Sequence, residues 1–287
     1  MSTPLSDRIA SASPRTPGEE DAAIREAMQE LALYALSGTR FFSDAAFHGG
    51  TFLRILHGLD RFSEDLDFST GRPEPGFDWR EHSGALVDIL QAHGLACEIR
   101  PRAADASPVK AISVVTPGPD ASLLRFAHRK GRLIRVKLEV DTNPPEGAKT
   151  AVAYAGFPVA HALRCVDLPS GMAGKCHAVL CRPHLKGRDL YDFSWYVGRG
   201  VGPNLVLLKS ALLQSGPWKG DAGILPDPEW LAQALRKKVS EIDWEDARRD
   251  VMPFLGEAGR RSLALWNGDF FNDLITRLMA STKHTAG

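Results

Sequence analysis

The chain has 287 residues, with 35 Lys+Arg against 35 Asp+Glu; 44% of it is hydrophobic and 24% charged. That composition belongs to a globular protein of two ordinary domains or one large one, and it excludes disordered and fibrous classes. A net charge of zero also excludes a polybasic protein that holds nucleic acid by bulk charge, while leaving room for a local basic groove.

Residues 1–18 mix Ser, Pro, Thr and Arg with few large apolar side chains and read as a mobile arm. The start has no apolar core of the signal-peptide kind, and no apolar run approaches the ~18 residues that span a bilayer. The expected location is therefore cytoplasmic, away from membranes, with Cys97, Cys165, Cys176 and Cys181 as free thiols. From Glu19 to Leu36, apolar residues at Ile24, Met28, Leu31 and Ala35 form the stripe of an amphipathic helix. An apolar stretch ending at Phe47 meets His48-Gly49-Gly50-Thr51 and then Phe52-Leu53-Arg54-Ile55-Leu56, the order strand, glycine turn, helix, with Gly58 closing the helix. Leu66 to Phe68 reads as a strand, Trp79 to His93 as a helix, and Leu95–Arg100, Ala111–Val115 and Leu133–Asp141 as further strands. Val152–Tyr154 is a candidate edge strand. From Ser170 onward the pattern is helical, punctuated by Gly and Pro. The expectation is an α+β domain over 19–165, with a mixed sheet covered mainly on one face, followed by a helical domain over 166–287.

The densest chemical cluster is Gly49-Gly50-Thr51 followed by Arg61-Phe62-Ser63-Glu64-Asp65-Leu66-Asp67-Phe68. Alternate strand residues face one way, so Asp65 and Asp67 project together while Leu66 and Phe68 enter the core. Adjacent carboxylates repel unless a cation lies between them, and Mg²⁺ accepts oxygen ligands while keeping places for water and phosphates. The glycine turn before a helix offers N–H groups to a triphosphate, with Thr51 and Ser63 as extra donors. Asp141, at a strand end before a Pro-rich loop, is the candidate third acid, although Glu139 shares its face. Lys175, Arg182, Lys186 and Arg188 supply four cations near Asp189 and Asp192, suited either to phosphate or to internal ion pairs. His177, Cys181 and His184 have a zinc-like spacing that Pro183 interrupts. Five of the six tryptophans, Trp195, Trp218, Trp230, Trp244 and Trp266 of the helical half, read as core or interface, and His128 to Arg132 as a basic turn that can touch phosphate.

These residues together resemble the AbiEii/AbiGii nucleotidyltransferase toxins, including the mycobacterial branch. The likeness is carried by His48-Gly49-Gly50-Thr51, the Arg61 to Phe68 run, Lys175 with Ala178 and Arg182, and Arg188-Asp189-Leu190-Tyr191-Asp192, and it covers about residues 40 to 200. It implies a polymerase-β-like fold with a helical C-terminal domain, and the toxin role in a toxin–antitoxin or phage-defence pair with a cognate antitoxin encoded nearby. It further implies transfer of a nucleotide from an NTP to RNA, above all the 3′ end of tRNA. By position it makes Asp65 and Asp67 the ligands of two Mg²⁺ ions, Lys175 a triphosphate contact and Asp189 the later catalytic acid; the Arg-Asp-x-x-Asp run leaves Asp192 as the second match. Ser63 gains a regulatory reading, since a hydroxyl near this point is a modification target in related toxins. The sequence departs from the family pattern at His48, where a Lys often precedes the glycine pair. Transfer to a protein or small-molecule hydroxyl, and non-catalytic nucleotide or RNA binding, remain open at this level.

Overall fold

The computed structural model describes residues 3–102, 107–120, 124–126 and 132–284, and the chain divides into two compact units. The first comprises Met1–Gly58, Phe62–Pro144 and Ala151–Cys165; the second comprises Leu59–Arg61, Pro145–Thr150 and Val166–Gly287. A single cut after residue 165 therefore misses two short excursions, one of which carries Arg61.

The first unit is α+β. Its helices are α1 (Pro4–Ser11), α2 (Pro17–Ser37), α3 (Phe41–Asp44), α4 (Gly49–His57) and α5 (Arg80–Ala92). Its strands are β1 (Ala45–His48), β2 (Asp65–Thr70), β3 (Glu98–Pro101), β4 (Val109–Thr116), β5 (Ile134–Asp141), β6 (Thr150–Ala155) and β7 (His161–Val166). They form one mixed sheet in the order β3-β4-β5-β2-β1-β7-β6. Strand β2 runs antiparallel to β1 and parallel to β5, and β4 is antiparallel to both β3 and β5. Strict alternation in β2 buries Leu66, Phe68 and Thr70 and leaves Asp65, Asp67 and Ser69 partly exposed. The same alternation in β5 buries Val136, Leu138 and Val140. Phe41 anchors the buried side, edge-on to Phe68 at 4.8 Å and stacked on Trp79 at 5.5 Å. One face of the sheet is thus greasy and covered, and the other carries the carboxylates.

One expectation needs correction, and one strand adds to the sequence reading. The supposed mobile arm is helical from Pro4: Thr3 and Ser6 form a reciprocal cap, and Leu5 and Ile9, one turn apart, are buried. Two apolar side chains on one face outweigh a polar average composition. Strand β7, unread in the sequence, buries Leu163 and Cys165 and pairs in parallel with β1 at Phe47↔Cys165. Beside it, β6 is the edge strand, with Val152 and Tyr154 exposed.

The second unit is helical: α6 (Leu168–Cys181), α7 (Gly187–Gly198), α8 (Leu205–Gln214), α9 (Pro228–Ser240), α10 (Trp244–Val251), α11 (Glu257–Ser262) and α12 (Gly268–His284). Helix α6 packs on α7, α8 and α9, and α7 on α10 and α12. Gly187 lets α7 start tight against α10, since a Cβ there would run into the Ala247 carbonyl. The tryptophans are structural: Trp244 stacks on Phe271 at 5.0 Å, Trp266 meets the same ring edge-on, and Trp218 packs against Trp230. All four cysteines are free thiols. Among the described residues no helix is long and apolar enough to cross a membrane.

Candidate active site

Strand β1 ends at His48, which enters α4 in extended conformation, and the chain turns at Gly49 with φ +84°. Glycine is needed there for its left-handed backbone and for space, because a Cβ would collide with Asp67 Oδ2. The His48↔Asp67 register brings this about. The Asp67 carboxylate therefore lies against the first turn of α4, where N–H groups without a partner in the helix and the positive end of the helix dipole favour negative charge. Thr51 does not serve as a free donor. It is fully buried, and its hydroxyl donates to the Asp65 carbonyl at 2.5 Å. The Ser63 carbonyl accepts from the buried Gln29 Nε2 at 3.0 Å. Gln29 and Thr51 thus fix the approach to β2, and what the glycine turn offers a phosphate is its backbone N–H groups.

Parallel pairing of β2 with β5 sets Lys137 beside Asp65, Glu139 beside Asp67 and Asp141 beside Ser69. The acid that stands beside Asp67 is accordingly Glu139, with Asp141 further along the same face. The register carries Asp141 one pleat too far, where its Oδ1 accepts from Asn143 N at 2.9 Å and closes the turn after β5. Glu139 is held 2.6 Å from Lys137 Nζ. Burial pushes the Asp65 carboxyl up to about 6; Asp67 adds to the shift, and Lys137 opposes it. Among the described residues no three acidic, His or Cys side chains converge into a ready-made metal cage, which also removes the zinc reading of His177, Cys181 and His184. His177 Nε2 instead lies 3.4 Å from the Ser215 carbonyl. Two carboxylates on one face, one with raised proton affinity, fit a hard cation bound by one or two acids that fills its other positions with water and phosphate oxygens.

The helical unit holds a second charged cluster. Asp189 and Asp192 sit three residues apart on α7 and share a face. Arg61 grips Asp192 with both arms, Nε to Oδ1 at 2.6 Å and Nη2 to Oδ2 at 2.7 Å, while Lys175 Nζ on α6 lies 2.7 Å from Oδ2. Burial alone would raise the Asp192 carboxyl, but Lys175 and Arg61 overcome it and hold it below the ordinary range. Burial likewise opposes the Lys175 charge, and Asp192 and Asp189 restore it and keep its pKa above the ordinary value. Asp192 is fully buried with both oxygens occupied, the arrangement of an anchor. Asp189 Oδ1 lies 3.1 Å from Lys175; Oδ2 is buried 3.2 Å from Arg182 Nε, without a hydrogen bond in the structure. The four cations read from the sequence therefore separate. Lys175 and Arg182 belong to this cluster, whereas Arg188 lies over the Phe254 ring at 4.3 Å and 4.0 Å from Asp250. Of the basic run 128–132, residues 128–131 lie outside the described residues, and Arg132 pairs with Asp21 at 2.6 Å.

A sequence profile described as "Nucleotidyl transferase AbiEii toxin, Type IV TA system" matches residues 31–267, a span that contains both clusters. The chain belongs to the AbiEii nucleotidyltransferase toxin family. As an AbiEii protein it is a nucleotidyltransferase, of the mixed-sheet fold followed by helices that the sequence predicts. Among solved structures it is similar to JHP933 from Helicobacter pylori, with 18% identity, a TM-score of 0.53, and 92% of this chain and 96% of that one covered. It is also similar to MenT4, a nucleotidyltransferase toxin from Mycobacterium tuberculosis, with 18% identity, a TM-score of 0.52, and 95% and 98% covered. At that identity these likenesses speak for the fold. No curated protein matches the chain. Sequence reasoning gave Arg61, Gln29 and Glu139 no role; for Arg61 the one available signal was a cation four residues before the first carboxylate.

Proposed function

We propose that this AbiEii protein transfers a nucleoside monophosphate from an NTP to the 3′-terminal hydroxyl of RNA, with tRNA as acceptor. In this reading it uses bound Mg²⁺ and acts in the cytoplasm as the toxin of a pair whose antitoxin is encoded nearby. The observation that supports this most is the Asp65/Asp67 pair, held on β2 against the first turn of α4.

Mg²⁺ bound by Asp65 and Asp67 would supply charge neutralisation at the triphosphate and a more acidic acceptor hydroxyl. The chain's own residues do the rest. The N–H groups at the start of α4, freed by Gly49 and Gly50, bind phosphate oxygens at the positive end of the helix. Thr51 fixes the backbone at Asp65, so that the two carboxylates keep their spacing. Glu139, beside Asp67, orients the acceptor hydroxyl. In the helical unit, Lys175 and Arg182 lie with Arg61 against Asp189 and Asp192, and as donors of charge-assisted hydrogen bonds they suit phosphate. Asp189 is the acid with spare accepting capacity, and Asp192 positions its neighbours. Ser63, partly exposed two residues before Asp65, is the position where added phosphate would repel the NTP.

The test is incubation with each labelled NTP, Mg²⁺ and total cellular RNA and protein. Label in the tRNA band, lost on chelation, is the expected result. Label in protein, or in no macromolecule, overturns the RNA acceptor.

A further inference from the structure

A cleft of about 610 Å³ opens in the α+β unit, and the sequence reading left it without a role. It lies where β3 ends: Glu98–Pro101 pairs with Val115–Ile112, so that Val109–Ala111 of β4 run on past the last ladder pair. Phe77 and Trp79 wall it, and Trp79 Nε1 donates to the Lys110 carbonyl at 3.1 Å. Arg102 and Lys110 bring two cations that form no ion pair with a described residue. Alternation along β4 puts Lys110 on the helix-covered side and Ala111 on the carboxylate side. The cleft therefore wraps from one side of the sheet to the other, over small Ala111, to Glu139.

Sheet order gives this position a meaning. In the run β4-β5-β2-β1 the glycine turn follows β1 on one flank of Asp65 and Asp67, and the cleft lies on the other flank. In-line displacement at phosphorus requires the attacking and leaving oxygens on opposite sides. With the triphosphate at the glycine turn, the attacking hydroxyl comes from the β5 and β4 flank. At about 4.8 Å per strand, β4 stands roughly 10 Å from β2, too far for the reacting hydroxyl itself but right for the nucleotides behind it. An aromatic ring with two cations is the combination that holds unpaired nucleotides, the ring against a base and the cations against phosphates.

We infer that this cleft is the acceptor-strand subsite, taking the unpaired nucleotides immediately 5′ of the terminal hydroxyl, with Phe77 against a base and Lys110 and Arg102 on phosphates. The inference rests on the RNA-acceptor reading above. It is tested with labelled NTP and bulk tRNA on Arg102→Glu, Lys110→Glu and the double variant. The double variant is expected to raise KM for tRNA about tenfold or more, and to make log KM less steep in log salt by about 1.4, or ~0.7 for each phosphate contact on a single strand. Its affinity for NTP, measured by equilibrium binding, stays at the wild-type value, which also reports an intact fold. Phe77→Ala should raise KM for tRNA without changing the salt slope. A double variant with wild-type KM and slope overturns the subsite, as does a matching loss of NTP affinity. Failure of the wild-type protein to label tRNA overturns the RNA-acceptor reading and this inference together, whereas normal wild-type transfer with an indifferent double variant overturns the subsite alone.

Discussion

The two charged clusters of this chain are built on opposite electrostatic principles. On the carboxylate face of the sheet, Glu139 stands beside Asp67 and Lys137 beside Asp65, and the shift of Asp65 to about 6 records first its burial and then the neighbouring Asp67 charge, which Lys137 only partly offsets. In the helical unit, Arg61, Lys175 and Arg182 interleave with Asp189 and Asp192 so closely that Asp192 is driven below its ordinary pKa although fully buried. The first suits the cation proposed above; the second is largely completed by the chain itself. A carboxylate is therefore better assigned to chemistry by what its surroundings do to its charge than by its motif, and on that measure Asp65, pushed up, ranks ahead of Asp192, held down.

The sharpest way to break this contrast is to neutralise one acid from each cluster. Asp65→Asn and Asp67→Asn should each lower nucleotidyl transfer by roughly 10³-fold or more, the loss of several kcal/mol at the transition state. The metal-free melting temperature should hold or rise, since repulsion is relieved; either variant with wild-type turnover and Mg²⁺ dependence would refute the assignment. Asp192→Ala should do the reverse. It leaves Arg61 and Lys175 buried without their acid, a loss of about 3–5 kcal/mol. For a chain of this size each kcal/mol moves Tm by about 2–4 °C. A thermal melt of Asp192→Ala that overlays the wild type would show that the network is not structural.

A smaller effect, read from pH, sharpens the same comparison. The folded carboxyl of Asp65 lies above its ordinary value of 3.8, so the metal-free folded chain binds that proton more tightly than the unfolded one. The stability this contributes is present below pH 3.8 and is lost as pH rises through about 6. Asp192 has the opposite sign: its contribution is present above its ordinary value of 3.8 and is lost as pH falls below it. Between pH 4 and 7 in chelator, the melting temperature of Asp65→Asn should therefore rise relative to that of the wild type as pH increases. Equal slopes in the two proteins would remove Asp65 as their source.

Much of the carboxylate face was legible because local rules agree there. The glycine pair breaks a strand pattern from a helix pattern, and Asp65-Leu66-Asp67-Phe68 alternates in charge and grease as a half-covered strand must. What failed was anything that depends on register or on a partner distant in the chain. Glu139 and Asp141 lie on one face of β5, and only the pairing with β2 decides which of them stands beside Asp67. Thr51 looked like a phosphate donor, since nothing local says that its hydroxyl will meet the Asp65 carbonyl fourteen residues on. The motif puts Asp189 first and Asp192 a close second by alignment alone, and only Arg61, 131 residues before Asp192, separates them physically. Leu5 and Ile9, four residues apart, are a local helical signal that the polar composition of residues 1–18 masks.

The tripeptide Leu59–Arg61 has a consequence for how this gene can be cut. It is encoded between α4 and β2, inside the stretch that otherwise builds the sheet, yet it belongs with the helices. A fragment starting at residue 166 lacks the guanidinium that holds both oxygens of Asp192, and a fragment ending at 165 carries Arg61 with no acid to receive it. The halves are neither portable cassettes nor candidates for simple recombination with a relative. An exchange at the visible boundary would have to bring a matching residue at position 61 across with it.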